Sequence, residues 1–352
     1  MAGAHEGRGR EGGFLMRETL REMGIALGRL PTGPTNSLFD VPGTKIGHVS
    51  LQYGQGPLVV GQGPVRTGVS VIVPAGKGPW PAAGHVINGY GKSLGLLQIQ
   101  ELGTLESPLF MTNTLAVGAV QQGYLEVLRE RGDFSPAQSF NVVVTECNDG
   151  FLNDLWGLHV RSEHVREALR DAEAGGPLRQ GSIGAGTGMG GFGHKGGIGT
   201  ASRQLSTKAV VAAVVLLNCG RAEELRLDGA AVFGTMPRPQ DLPDGSIIIA
   251  LMANAGFSSF ELMRLARRAT HGLARTGAIS APGSGDFVVA WDSGDADRRS
   301  GLEEAFLAVV ESVEEAVWNA LATADDVEGR DRHRLQAVPT AAILAAASKI
   351  RP

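Results

Sequence analysis

The 352-residue chain contains only two cysteines, Cys147 and Cys219, and one possible bridge does not staple a chain of this length. A disulfide scaffold is thereby excluded, and a reducing compartment is the expectation. No apolar run approaches the ~20 residues needed to cross a bilayer. The best stretch, Ala209 to Leu217, suits a buried strand. Aromatic residues make up 5% of the chain, Lys and Arg form no runs, and the net charge is −4. The electrostatic footprint of a nucleic-acid or membrane-surface binder is therefore missing, and a small molecule is the expected partner. The first residues, MAGAHEGRGREGGFLMRETLREMG, lack the apolar run and small-residue cleavage site of a secretory signal. The sequence reads as a cytoplasmic protein whose residues 1–40 are partly flexible.

What the chain does have is an ordinary globular balance, 43% apolar and 19% charged, and an unusual 51 glycines. These cluster, most densely in GSIGAGTGMGGFGHKGGIG at 181–199. With no collagen-like period, they are expected to shape loops and close backbone approaches.

β-Branched residues between turn formers predict strands at 45–51, 68–74, 108–111 and 141–145. Apolar spacing of three and four predicts helices over 90–102, 116–131 and 159–174. Lys208 to Leu217, apolar from Ala209 onward, and SIIIALMA, apolar after Ser246, predict strands buried on both faces. A helix over 258–276 with a Ser258/Glu261 capping box, a strand over 286–291 and two further helices complete the pattern. Fully apolar strands flanked by amphipathic helices argue for an α/β chain with sheets sandwiched between helical layers. No low-complexity linker divides it, so one catalytic domain spanning 1–352 is expected, with 237–245 (PRPQDLPDG) as the best exposed break.

Several chemical motifs fail on inspection. Gly186 to Gly191 fits G-x-G-x-x-G formally, but no apolar strand precedes it, as a dinucleotide site requires. Lys195 follows His194 and precedes Gly196, so the glycine and hydroxyl of a phosphate-binding loop are missing. The eight histidines are scattered, with no HExxH or CxxC, so no metal or other cofactor is expected. Glu146, Asp149 and Asp154 cluster in TECNDGFLND after a buried strand, where ligand contact and helix capping are both open readings. Gly283-Ser284-Gly285 is not a nucleophile elbow, because Pro282 stands where its first glycine belongs. Ser284 and Asp286 nonetheless share one face at the mouth of a strand by the period of two.

The peptide Asp244-Gly245-Ser246 permits a different chemistry. Glycine tolerates a distorted backbone, so the Gly245 carbonyl could meet the Ser246 hydroxyl in an N→O acyl shift. A freed Ser246 would carry an α-amine of pKa about 7.7–8.0, placing nucleophile and general base on one residue. Alone, Gly-Ser before a strand is an ordinary turn.

LPDGSIIIALMANA, FELMRLARRATHGLARTG with APGSGDFVVAW, GSIGAGTGM…KGGIGTASR and ECNDGFLND occur in order between Gly43 and Asp292. Together they resemble the L-aminopeptidase D-Ala-esterase/amidase family, which includes β-peptidyl aminopeptidases. The resemblance implies a four-layer αββα sandwich and self-cleavage between Gly245 and Ser246 into 1–245 and 246–352. It also implies catalysis by Ser246 with Ser284 and Asp286, some members having Glu at the latter position. Asn218 is implied as oxyanion donor, and Glu146 with Asn148 as contacts for the substrate's free amine. Lys92 stands where an acidic residue is expected in many members. The implied substrate is a small peptide or aminoacyl amide or ester, and the implied assembly a homo-oligomer of cleaved heterodimers. Acyl transfer to an amine and an uncleaved, non-catalytic binding role are the alternatives.

Overall fold

The computed structural model describes residues 17–234, 244–294 and 301–350. The chain begins with β1 (Lys45–Tyr53), β2 (Val65–Val73) and β3 (Trp80–Gly89), then α1 (Leu96–Leu102), β4 (Thr104–Leu105) and β5 (Leu109–Asn113). Helices α2 (Val117–Arg131) and α3 (Ser162–Ala174) flank β6 (Val143–Cys147). The glycine-rich stretch folds into a short hairpin, β7 (Gly190–Gly191) and β8 (His194–Lys195), and runs into β9 (Gly197–Gln204) and β10 (Val210–Cys219). A small ribbon, β11 (Arg226–Leu227) with β12 (Ala230–Ala231), precedes β13 (Gly245–Ala253), α4 (Ser259–Arg275) and β14 (Gly285–Asp292). Helix α5 (Leu302–Ala322), a second ribbon of β15 (Val327–Glu328) and β16 (Arg334–Leu335), and α6 (Thr340–Ala347) end it.

The long strands form a four-stranded sheet, β1-β2-β5-β6, and a six-stranded sheet, β4-β3-β14-β13-β10-β9. Alternation along β13 explains why an unbroken apolar run is needed. Ile248, Ala250 and Met252 enter the core between the sheets with Ile72, Met111 and Val143. Ile247, Ile249 and Leu251 enter the core beneath α4 and α5 with Leu265 and Val313. A third core packs α2 and α3 on the outer face of the first sheet through Val120, Val165, Val69 and Phe110. The result is the expected αββα sandwich, with burial on both faces of its central strands. Close packing also explains part of the glycine content, since a Cβ on Gly199 would collide with the Ala316 carbonyl of α5.

One expected helix starts later than its pattern, and one strand was missed. The helix expected over 90–102 begins only at Leu96, because Lys92 N bonds to Glu146, Leu94 N bonds to Val144 O, and Gly95 has φ +84°. Strand β3 escapes the pattern rules because Trp80-Pro81 and Gly84 interrupt any alternation. Of the N-terminal segment 1–40, expected to be partly flexible, residues 1–16 lie outside the described residues, and 17–40 pack on α5, where Arg21 pairs with Glu315 at 2.8 Å and Leu20 and Leu27 are fully or nearly fully buried. The Ser258/Glu261 capping box forms as expected, with Ser258 N donating to Glu261 Oε2 at 2.8 Å. Both cysteines are free and buried. Among the described residues no helix is long and apolar enough to cross a membrane.

Candidate active site

Ser246 is the second residue of β13, opposite Asn218 of antiparallel β10 on one side and Gly285 of parallel β14 on the other. The residue before it has little freedom of identity. Gly245 has φ +77°, and a Cβ there would overlap the Asn218 carbonyl oxygen. Both constraints select glycine. Part of the turn-rich stretch preceding it, 235–243, lies outside the described residues. The Ser246 hydroxyl accepts from Gly285 N at 3.3 Å and is almost wholly buried.

The period-two expectation for Ser284 and Asp286 holds in space. Ser284 Oγ donates to Asp286 Oδ1 at 2.5 Å, and the same oxygen accepts from Ile247 N, the residue after Ser246, at 3.2 Å. Asp286 Oδ2 has no hydrogen bond among the described residues. Burial pushes the Asp286 carboxyl above its ordinary value, while the Ser284, Ser280 and Ile247 bonds pull it back. The turn is held by Asn88, whose Nδ2 reaches the carbonyls of Ala281 at 3.1 Å and Ser284 at 2.5 Å. Sequence reasoning missed Asn88, and only its place in the NGYG turn signal pointed to it.

Asn218 is fixed at both ends of its amide: Oδ1 accepts from Gly190 N at 2.7 Å and Nδ2 donates to Asn148 O at 2.9 Å. The amide group carries two N–H bonds, so one remains for a developing negative charge beside Ser246. Asn148 thus joins the site through its backbone, its side chain instead accepting from Gly150 N at 2.9 Å. Gly190 to Gly193, Asn148, Asn218 and Asp244 line a narrow cleft. A second narrow hollow shares Cys219, Gly220 and Asp244 with it. The glycine-rich loop is therefore a wall of this cleft.

Lys195 holds that wall together. Its fully buried Nζ donates to Gly186 O at 2.8 Å and Gly196 O at 2.7 Å, leaving nothing of a phosphate cradle. Burial pushes its pKa down to about 7. Between pH 7 and the ordinary lysine value the unfolded chain binds a proton that the folded chain lacks, so this group's contribution to stability rises with pH across that window. The native chain should therefore gain on a Lys195→Met protein between pH 7 and pH 10 by on the order of a few kcal/mol, read by denaturant unfolding at both pH values. A gap between the two proteins that stays constant or narrows would refute the assignment.

The acidic cluster of TECNDGFLND separates by role. Asp154 caps the short turn Leu155–Gly157 and bonds to His159 at 2.8 Å, and Asp149 is buried against Asn153 at 3.0 Å. Glu146, at the end of β6, goes to the site. Its Oε1 accepts from Lys92 N at 2.7 Å and lies 4.0 Å from Lys92 Nζ, which donates to Thr114 Oγ1 at 2.9 Å. Burial raises the Glu146 carboxyl above its ordinary value, opposed by Lys92. A Cβ placed on Gly91 would lie 3.2 Å from both Glu146 Oε1 and Gly285 Cα, so the Glu146–Lys92 pair sits one backbone width from the Gly285–Ser246 contact.

With a serine at the head of an inner strand and a serine–carboxylate pair beside it, the sandwich superposes on aminopeptidases of the Ntn hydrolase fold, which is the class of the molecule. The comparisons agree. Residues 36–335 match the model of peptidase family S58. The chain is 35% identical to the β-peptidyl aminopeptidase BapA of Sphingosinicella microcystinivorans, over 94% of this chain and 92% of that protein. It superposes on the β-aminopeptidase of Burkholderia sp. with a TM-score of 0.85 and 35% identity, covering 95% of this chain and 99% of that one. The L-aminopeptidase D-Ala-esterase/amidase of Ochrobactrum anthropi, a variant of the Ntn hydrolase fold, gives 0.83 and 32%, covering 94% and 98%. The chain belongs to peptidase family S58, and it is a hydrolase of the aminopeptidase type.

Proposed function

We propose that this chain is a cytoplasmic enzyme of one catalytic domain that cuts itself between Gly245 and Ser246 and then hydrolyses the amide or ester after an N-terminal residue. The observation that carries the reading is the placement of Ser246. Its hydroxyl follows a residue that only glycine can be, and the next amide along bonds to the Asp286 carboxylate that Ser284 also holds.

In self-cleavage, Ser246 Oγ attacks the Gly245 carbonyl carbon, the C–N bond breaks, and the resulting ester is opened by water. The products are 1–245, ending in a carboxylate, and 246–352, beginning with a free amine. That amine then takes the Ser246 hydroxyl proton as Oγ attacks the donor carbonyl. Asn218 Nδ2 stabilises the tetrahedral oxyanion, and the amine returns the proton to the leaving nitrogen. Water releases the acyl group from Ser246. The unshared Oδ2 of Asp286 supplies a negative partner for the ammonium while the proton is held. Glu146 anchors the donor's own amine, and Asn148 sets the oxyanion amide.

Small peptides and aminoacyl amides or esters are the substrates that the relatives' names support, and cleaved heterodimers assemble into a homo-oligomer. Asn218→Ala should lower kcat by about 10²–10³-fold, the effect of removing one oxyanion donor. An unchanged kcat on an aminoacyl nitroanilide would remove Asn218 from that role. The reading as a whole is tested by mass analysis of the purified protein. Two pieces beginning at residues 1 and 246 are expected, and a chain that stays whole after long incubation while still hydrolysing aminoacyl anilides would overturn self-processing.

A further inference from the structure

Lys92 gives this site a charge balance that the roles above do not use. Its side chain is 61% exposed, whereas Glu146, 4.0 Å away, is 3% exposed. The pair is already neutral. A donor ammonium docking on Glu146 comes to lie beside a second ammonium, and the cluster is left with a net positive charge that a neutral aminoacyl donor cannot offset.

A donor that carries a carboxylate next to its amine offsets it. Lys92 Nζ has three N–H donors and uses one on Thr114, so two remain for an incoming oxygen. Ammonium and carboxylate borne on one carbon have a short, fixed separation, comparable with the 4.0 Å between Nζ and Oε1. The donor's two charges can therefore meet the protein's two charges side by side, each bond charge-assisted. An α-linked aspartyl or glutamyl residue holds its carboxylate further from the amine and across rotatable bonds, so it matches less well.

The geometry points to Lys92 as a specificity-determining residue that, with Glu146, selects β-aspartyl donors, in which an aspartate is joined through its side-chain carboxyl and keeps its amine and α-carboxylate free. This inference rests on the Ser246 reading and deepens it. Ser246 Oγ bonds to the β-carbonyl carbon, the C–N bond breaks as the Ser246 amine protonates the leaving nitrogen, and water then frees aspartate from the ester.

The test compares L-aspartic acid β-(4-nitroanilide) with the 3-aminobutanoyl 4-nitroanilide, in which a methyl replaces the carboxylate. The native protein should favour the first in kcat/KM by at least about tenfold, since a site built to pair a charged group rejects the analogue lacking it. In Lys92→Met that ratio should fall at least about tenfold, and in Lys92→Glu it should invert. Because each ratio is internal to one protein, partial loss of folded enzyme does not disturb it. A native preference for the methyl donor, or a ratio unmoved in Lys92→Met, overturns the inference and leaves the Ser246 reading standing. If the native protein cuts neither donor, the Ser246 reading is decided by the mass analysis and aminoacyl anilides described above, and the inference by calorimetry with L-asparagine, the simplest β-aspartyl amide, against 3-aminobutanamide. Tighter binding of L-asparagine supports it, and equal, weaker or undetectable binding overturns it.

Discussion

A Ser246→Ala protein should run as one uncleaved chain and turn over an aminoacyl anilide at least about a thousandfold more slowly than the native enzyme, the scale of loss when a catalytic serine is removed. Two effects combine. The hydroxyl that would open the Gly245–Ser246 bond is gone, so the α-amine proposed as general base never forms. The acyl-enzyme also has no oxygen to form on. Ser246 is buried at the head of β13, and losing the hydroxyl that accepts from Gly285 N at 3.3 Å leaves a buried donor unpaired, at a cost of about 1–3 kcal/mol. The expected signature is therefore a protein that folds with modestly lower stability yet stays whole and inactive. Scission at residue 246 or native-rate anilide hydrolysis in this variant would sink the assignment.

Gly245→Ala should be among the most disruptive single methyls at the described glycines. Its new Cβ would overlap the Asn218 carbonyl oxygen, and its φ of +77° lies where a side chain is strained. Relief requires moving either β13 or the end of β10, and the latter carries Asn218. The expected cost exceeds about 4 kcal/mol, in the range reserved for a named steric fault. Urea unfolding should be compared between Ser246→Ala and Ser246→Ala/Gly245→Ala chains, so that both unfold as one piece. In the otherwise native sequence the same methyl should also slow scission, followed by mass over time. Equal stability with an undisturbed scission rate would show that Gly245 is there for another reason.

Legibility from sequence was uneven for physical reasons. The runs read at 208–217 and from Ser246, which fold as strands 210–219 and 245–253, could be recognised because a strand buried on both faces is apolar along most of its length. The Ser284/Asp286 pair was legible because a strand's period of two is local, and the Ser258/Glu261 cap because it spans one turn. The identity of residue 245 was legible only as a permission, since glycine allows a distorted backbone anywhere. The oxygen that forbids every other residue comes from position 218.

What the chain determined by itself, then, is which segments become inner strands and which short motifs can carry an acid and a nucleophile, because these follow from periodicity and neighbouring backbone. What only the tertiary structure decided is which of them meet. Asn218 touches Asn148 from 70 residues away, and Asn88 holds a turn 193 to 196 residues further on. Lys92 faces Glu146 because the expected helix fails to start until Leu96, its early amides being taken by Glu146 and by Val144 of β6. No local rule reports such a competition. It is settled when two sheets close on a shared core and bring distant acceptors within hydrogen-bonding reach.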